Sequence, residues 1–377
     1  MEQTILNADA GYSCLDKWFT KNKRVMLVCG NSIDKLKIND YLMHIKQRFG
    51  VEIVRFSDFT PNPDYMSVVK GVELFRKHNC DSIIAIGGGS AIDVAKCIKL
   101  FSTMDGNGNN GEFLSRNITK NHIPFCVMPT TSGTGSEATH FAVIYYEGLK
   151  LSVAHISALP EVIVFDSSVL KTLPLYQKKS TMLDALCHAV ESYWCVNSTD
   201  ESKEYSLKAI RLIVNNLNSY LANNDDGNDN MMKASYLAGK AINITKTTAG
   251  HAMCYKITSL FNCAHGHAAG LCDRILFKWM VENTQKCSDK RGVEYLQKTL
   301  DELGIALGGA DALSGAKRFC ELFDSLNLSI PIATLEQIEE LKSSVNTERL
   351  SNHPVVLDSE SLGELYKNIL KVGTNES

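Results

Sequence analysis

The chain has 377 residues, 44% of them hydrophobic and 21% charged, with a formal net charge of −3. That length exceeds one ordinary domain and suits two, each able to bury a core. The weak charge gives no electrostatic case for nucleic acid or a membrane surface, and no run approaches the roughly 18 to 20 apolar residues that span a bilayer.

In chain order, the start MEQTILNADAGYSCLDKWF lacks the basic end and apolar run of a signal peptide. Twelve scattered Cys without a CxxC pair read as reduced thiols, so the expected location is the cytoplasm. Arg24–Cys29 (RVMLVC) reads as a strand, 39–49 as a helix, 51–56 (VEIVRF) as a strand and 65–78 as an amphipathic helix. A strand at 82–86 (SIIAI), a helix at 92–103, and strands at 124–128 (PFCVM) and 162–166 (VIVFD) follow. This alternation predicts a mostly parallel, Rossmann-like sheet covered on both faces. After Leu173-Pro174 apolar positions recur at three and four residues, with clear helices at 205–221 and 231–244 and no convincing strand. The reading is therefore an α/β nucleotide-binding domain over 1–177 and an all-helical metal- and substrate-binding domain over 178–377. Two Asn/Asp/Gly-rich stretches, 105–111 and 223–230, read as exposed loops.

Two turns carry the signs of anion binding. The strand 82–86 runs into Gly87-Gly88-Gly89-Ser90-Ala91-Ile92-Asp93, where a helix begins. Glycines let the backbone approach a ligand, and a helix N-terminus offers unpaired N–H groups to phosphate. Pro129-Thr130-Thr131-Ser132-Gly133-Thr134-Gly135-Ser136-Glu137 follows the strand 124–128 in the same way. Neither is the GxGxxG or GxxxxGK[ST] fingerprint, and either alone could be a tight connection. The pair together suits the pyrophosphate of a dinucleotide.

In the helical half, Asp184 and His188 are four apart, hence on one helix face, in an otherwise apolar segment where unpaired polar groups are costly. His251, His265 and His267 follow. One carboxylate with up to three imidazoles suits a divalent transition ion, Fe or Zn, although a helix-surface pair with core histidines gives the same spacing.

Taken in order, Asn62-Pro63, GGGSAIDVAK (87–96), PTTSGTGSE (129–137), DALCHAVE (184–191) and the His251…His265 spacing resemble the iron-containing alcohol dehydrogenase family, whose kin include glycerol dehydrogenase and dehydroquinate synthase. The resemblance covers nearly the whole chain. It implies the dehydroquinate synthase-like fold, and Asp184, His188, His251 and His265 as ligands of one divalent metal, Fe2+ expected and Zn2+ the alternative. It further implies a cofactor set of Asn62, Gly87, Gly88, Gly89, Ser90, Asp93, Thr130, Thr131, Thr134, Thr139 and Lys150. The implied reaction moves hydride between NAD(P)H and a small aldehyde or alcohol. A homodimer or larger homo-oligomer is also implied.

Four departures from the family refine the expectation. Where many members have a second, non-ligand His, this chain has Tyr255, and His267 follows His265 where a small or apolar residue is usual; both become candidate proton donors. Lys246 stands in a stretch that is usually neutral and would suit an anionic substrate group, unless it is a solvated surface amine. After the first strand, Gly30 takes the place of an acid that binds ribose hydroxyls, with Lys35 and Lys37 nearby, which favours NADP(H); Asp34 keeps NAD(H) open. HAVESYWCVNSTDES (188–202), KTTAGHA (246–252) and AHGHA (264–268) resemble the hydroxyethylphosphonate dehydrogenase, or phosphonoacetaldehyde reductase, branch. The best expectation is thus reduction of phosphonoacetaldehyde to 2-hydroxyethylphosphonate. The alternatives are a general short-chain alcohol or diol dehydrogenase (lactaldehyde or butanol type), a lyase like dehydroquinate synthase, and a non-catalytic protein that kept the fold.

Overall fold

The computed structural model describes residues 3–8, 10–345 and 350–373. They form two compact units, 1–172 and 173–377.

The first unit is built on a six-stranded parallel sheet in the order β1-β8-β5-β4-β2-β3. Its strands are β1 (Thr4–Asn7), β2 (Arg24–Cys29), β3 (Glu52–Phe56), β4 (Ser82–Gly87), β5 (Phe125–Pro129) and β8 (Val162–Phe165). Every residue of β4 and β5 is buried, as are five of the six in β2, because a parallel sheet covered on both faces needs continuous apolar strands. The edge strands β1 and β3 are correspondingly more exposed.

Helices α1 (Asp16–Phe19), α2 (Lys37–Met43), α3 (Ile45–Phe49), α4 (Tyr65–Lys77) and α5 (Gly89–Phe101) complete the unit. The single helix expected over 39–49 is two, broken at His44. Its ring nitrogen takes the carbonyl of Asp40 at 2.7 Å, and its own amide turns to Tyr41, so the regular ladder stops. The sequence reading also passed over β1 and the antiparallel hairpin of β6 (Phe141–Tyr146) and β7 (Leu149–Ala154). Glu147 and Gly148 both have positive φ at its tip, the conformation that joins twisted antiparallel strands in two residues.

The second unit is helical, with α6 (Leu175–Trp194), α7 (Asp200–Leu221), α8 (Asp225–Thr245), α9 (Ala249–Phe261), α10 (His265–Glu282), α11 (Val293–Ala306), α12 (Ala312–Ser325), α13 (Leu335–Ser343) and α14 (Ser359–Ile369). Among the described residues its strand content is a two-residue parallel pair, β9 (Ile332–Ala333) and β10 (Lys371–Val372). Fifteen of the twenty residues of α6 are buried, so it is the central helix of this unit.

The run 223–230 is not an exposed loop. Asn223, at φ 62°, turns the chain, and α8 starts at Asp225 with Gly227 and Asn228 buried. The cause is Lys178 on α6: its buried ammonium donates to the Tyr220 carbonyl (2.9 Å), Asn223 Oδ1 (2.7 Å) and Asn228 Oδ1 (3.0 Å). Polar residues that look solvated in sequence thus satisfy a buried cation. None of the twelve cysteines is in a disulfide. Among the described residues no helix is long and apolar enough to cross a membrane.

Candidate metal centre and nucleotide turns

The two glycine-rich turns lie at the carboxyl ends of the paired strands β4 and β5, with Gly87 in register with Pro129. From β2 the sheet runs to β3 on one side and to β4, β5 and β8 on the other, and ligands of open α/β sheets bind at such a reversal. Gly88 and Gly89 both serve close approach between the turns. A Cβ on Gly88 would lie 3.2 Å from the Thr131 side chain, and one on Gly89 only 2.7 Å from that of Thr134. The helix α5 then begins, presenting its first N–H groups beside Ser90.

Several side chains expected to touch cofactor are engaged within the protein. Asp93 accepts from Ser136 Oγ (2.5 Å) and the Val143 amide (2.9 Å). The buried Lys96 donates to Ser136 Oγ (2.9 Å), Thr139 Oγ1 (2.8 Å) and the Phe141 carbonyl (2.8 Å). Burial lowers this ammonium to about 8 and raises the Asp93 carboxyl. Asp93 and Thr139, both expected beside the cofactor, thus help tie α5 to the second turn. Thr130 is nine-tenths buried and holds the Gly87 carbonyl through its amide (3.0 Å), while Thr131, Thr134 and Ser90 stay partly accessible at the turn surface. Lys150 on β7 acts electrostatically on Asp93. Asn62, exposed and at φ 57°, makes the turn before α4. Glu137 was given no role from sequence; it is 2% exposed, its Oε1 has no hydrogen-bond partner, and burial pushes its carboxyl up to about 7.

In the helical unit three helices converge. Asp184 and His188 come from α6, His251 from the first turn of α9, and His265 opens α10. Ligand atoms of Asp184, His188 and His251 all lie within 4.8 Å of one another, and the three residues are buried. The rings of His188 and His251 stack at 4.5 Å; His265 stands at 5.3 Å from His251, tilted by 67°, and is partly exposed. His251 Nε2 and Asp184 Oδ1 face each other at 3.5 Å, and each is buried without a hydrogen-bond partner. Two buried polar atoms that face each other without a hydrogen bond, with two further imidazoles nearby, have the donor chemistry and spacing of a transition-ion site.

The electrostatics agree. Burial would raise the Asp184 carboxyl, but the imidazoles of His188, His251 and His265 outweigh it and hold it well below the usual carboxylate range. Burial would lower His251, but Glu191 and Asp184 raise it to about 10. The pocket is thus built to hold positive charge between carboxylates.

The expected proton donors separate. Tyr255 lies flat against His265, with ring centroids 5.5 Å apart and planes 2° from parallel. His267 does not join the cluster. Its Nδ1 lies 3.1 Å from the Tyr176 hydroxyl and its Nε2 2.9 Å from the Ser329 carbonyl, so both ring nitrogens are occupied in a buried structural tie. Burial holds its pKa below the ordinary histidine value. Lys246 is exposed, at φ 64° and ψ −177° where α8 turns towards α9, a region that only glycine adopts readily.

Glu191 and Asp273 were given no role from sequence. Glu191 lies on the same face of α6 as Asp184 and His188, being seven and three residues on, and that periodicity was the available signal. Its carboxylate receives the His251 ring N–H. Asp273, from α10, is fully buried beside Gly250, where a Cβ would lie 1.8 Å from its Oδ1. Burial and the neighbouring Glu191 raise the Asp273 carboxyl well above its ordinary range.

Residues 4–167 match the iron-containing alcohol dehydrogenase family, and residues 178–370 match the C-terminal part of the Fe-containing alcohol dehydrogenase family. Long-chain-alcohol dehydrogenase 1 of Geobacillus thermodenitrificans is 32% identical over 269 residues, 68% of each chain. The 1,3-propanediol dehydrogenase of Citrobacter freundii is 31% identical over 275 residues, 71% of this chain and 70% of that one. Among solved structures, the sulfoacetaldehyde reductase of Bifidobacterium kashiwanohense with NAD+ superposes with a TM-score of 0.85 at 24% identity, over 98% of this chain and 97% of that one. With both units matched in order, the chain belongs to the iron-containing alcohol dehydrogenase family of nicotinamide-dependent oxidoreductases.

Proposed function

We propose that this enzyme reduces a small anionic aldehyde, best matched by phosphonoacetaldehyde giving 2-hydroxyethylphosphonate, with Asp184, His188, His251 and His265 holding one divalent metal. The observation that carries the metal reading is the buried meeting of Asp184 Oδ1 and His251 Nε2, 3.5 Å apart and each without a hydrogen-bond partner, beside His188. Fe2+ is the expected ion and Zn2+ the alternative. When bound, the ion supplies Lewis acidity to the carbonyl oxygen. A bound nicotinamide would supply hydride for the carbonyl carbon, which leaves one proton to be delivered to the oxygen by the protein. Tyr255, stacked on His265, is the candidate donor; His267, with both nitrogens engaged, is set aside. Ser90, Thr131 and Thr134, with the backbone of Gly87–Gly89 and the N-terminus of α5, are the groups that would receive the pyrophosphate.

NADP(H) is the favoured cofactor. Asp34, the acid closest to the end of β2 in sequence, is paired with Arg55 at 2.8 Å, and Arg55 Nε also donates to Ser57 Oγ at 3.1 Å. Its charge is therefore compensated, and Lys35 and Lys37 stand exposed beside it in the chain. That arrangement tolerates a 2′-phosphate better than a lone carboxylate would.

Lys246 supports the anionic substrate: an exposed cation five residues before His251 in the chain, held at φ 64° where glycine would cost less, is a costly backbone choice. The second reading is a neutral alcohol or diol substrate, favoured by likeness to the 1,3-propanediol dehydrogenase. Family membership displaces the lyase alternative. A homo-oligomer and a cytoplasmic location belong to the same proposal.

The test is a spectrophotometric screen of Fe- and Zn-loaded enzyme with NADPH and NADH against phosphonoacetaldehyde, lactaldehyde, glycolaldehyde and butanal. Lys246→Ala should raise KM for phosphonoacetaldehyde about 10-fold or more and leave the neutral aldehydes within about 2-fold. Equal changes for both classes would overturn the anionic reading.

A further inference from the structure

Behind the candidate metal cluster lies a buried carboxylate that meets the start of α9, with the Asp273 carboxyl of α10 as a further neighbour. Glu191 is fully buried on α6. One of its oxygens accepts from the His251 amide (3.0 Å) and from the His251 ring at Nδ1. The other accepts from the Thr248 amide (2.5 Å) and the Thr248 hydroxyl (2.7 Å). Thr248 caps α9, and its hydroxyl is itself held by Trp194 Nε1 at 2.8 Å. Four donors meet two oxygens, which fills the accepting capacity of a carboxylate.

This arrangement does two things at once. A negative charge sits on the N-terminus of a 13-residue helix, where unpaired amides and the helix dipole favour it. The same oxygen that takes the His251 amide also takes its ring N–H, so turning the imidazole would cost a buried charge-assisted bond. With Nδ1 committed as donor, the lone pair of His251 can lie only on Nε2, the atom 3.5 Å from Asp184. Gly250 leaves the space for this, since a Cβ there would lie 2.9 Å from Glu191 Oε1.

We propose that Glu191 is the positioning residue of the metal centre: by closing the α9 N-terminus and accepting the His251 Nδ1 proton, it aims Nε2 at the metal position. The inference rests on the metal reading proposed above. A merely structural role would stabilise α9 without changing how well the folded protein grips an ion. Glutamine at 191 offers one accepting oxygen where the four donors require two, so the imidazole and the helix end compete for it. The loss for such outer partners is typically 10- to 100-fold in metal affinity.

The experiment is chelator competition on full-length wild type, Glu191→Gln and Thr248→Val, with Zn2+ and with Co2+, following the visible cobalt spectrum and apo-protein melting separately. Glu191→Gln should bind Zn2+ about 10- to 100-fold more weakly and shift the cobalt bands, and Glu191→Asp should recover part of the affinity. Thr248→Val, which keeps the carboxylate and removes one donor, should lose about 3- to 10-fold. Unchanged Zn2+ affinity and cobalt spectrum in folded Glu191→Gln would overturn the proposal even if its melting temperature fell. If Glu191→Gln does not fold, the same unchanged result in Thr248→Val overturns it. Wild type that binds neither ion sinks the metal reading itself, a distinct outcome.

Discussion

The two ligand-directed regions of this molecule are built on opposite plans. In the α/β unit most polar side chains near the glycine turns are satisfied within the protein, Asp93 by Ser136 and the Val143 amide and Lys96 by Ser136, Thr139 and the Phe141 carbonyl, with Glu137 Oε1 the exception. What is left for a nucleotide there is mainly backbone, hydroxyls and space. In the helical unit the backbone is consumed by helices, and side-chain atoms are left over, Asp184 Oδ1 and His251 Nε2 among them. A phosphate is a diffuse anion that main-chain amides can cradle, whereas a transition ion needs directed lone pairs. Leftover buried polar atoms are thus a sharper sign of a ligand than a motif rich in polar residues.

Substitutions should break that comparison unequally. The largest effect is expected at the metal cluster: Asp184→Ala should weaken Zn2+ binding by at least about 100-fold and abolish reductase activity. Chelator titration with metal analysis of the purified protein checks it, and near-normal metal content would refute the ligand role. Removing a clamp in the other unit should act on stability first. Asp93→Ala leaves the buried Lys96 without its nearby carboxylate and should cost about 3 kcal/mol. Denaturant melts of the variant, compared with NADPH titrations near native conditions, distinguish this from direct cofactor contact, which would cost affinity at unchanged stability.

The smallest effect concerns pH. The Glu137 carboxyl is raised from its ordinary 4.5 to about 7 in the folded unit, so between those values the folded form binds more protons than the unfolded one. The contribution of Glu137 to stability is fully present below the lower value and is lost as pH rises through about 7, by at most about 3 kcal/mol. Glu137→Gln should flatten that slope, and urea melts at pH 5 and pH 8 would show it. A slope unchanged by the substitution would place the titration elsewhere.

Much of this was legible in the residues. Continuous apolar strands and their alternation with helices announced a covered parallel sheet, and the i,i+4 spacing of Asp184 and His188 announced a shared helix face, because both are local periodicities. The roles of single polar side chains were less legible. His267 looked as eligible as His265 from two residues away, yet one faces His251 and the other is tied to Tyr176 and Ser329. Residues two apart on a helix point about 200° from each other, so the neighbours decide.

By itself, then, the amino-acid order determined the class of fold, the two glycine turns and the ordered motifs that mark the family, since these depend on contacts within a few residues or on pattern. Tertiary structure alone decided which buried polar atoms lack a hydrogen bond, that 223–230 closes over Lys178, that Asp93 and Thr139 tie α5 to the second turn, and that Glu191 meets His251 sixty residues away. Hydrogen bonding is a matter of distance and direction between helices, and no local spacing encodes either.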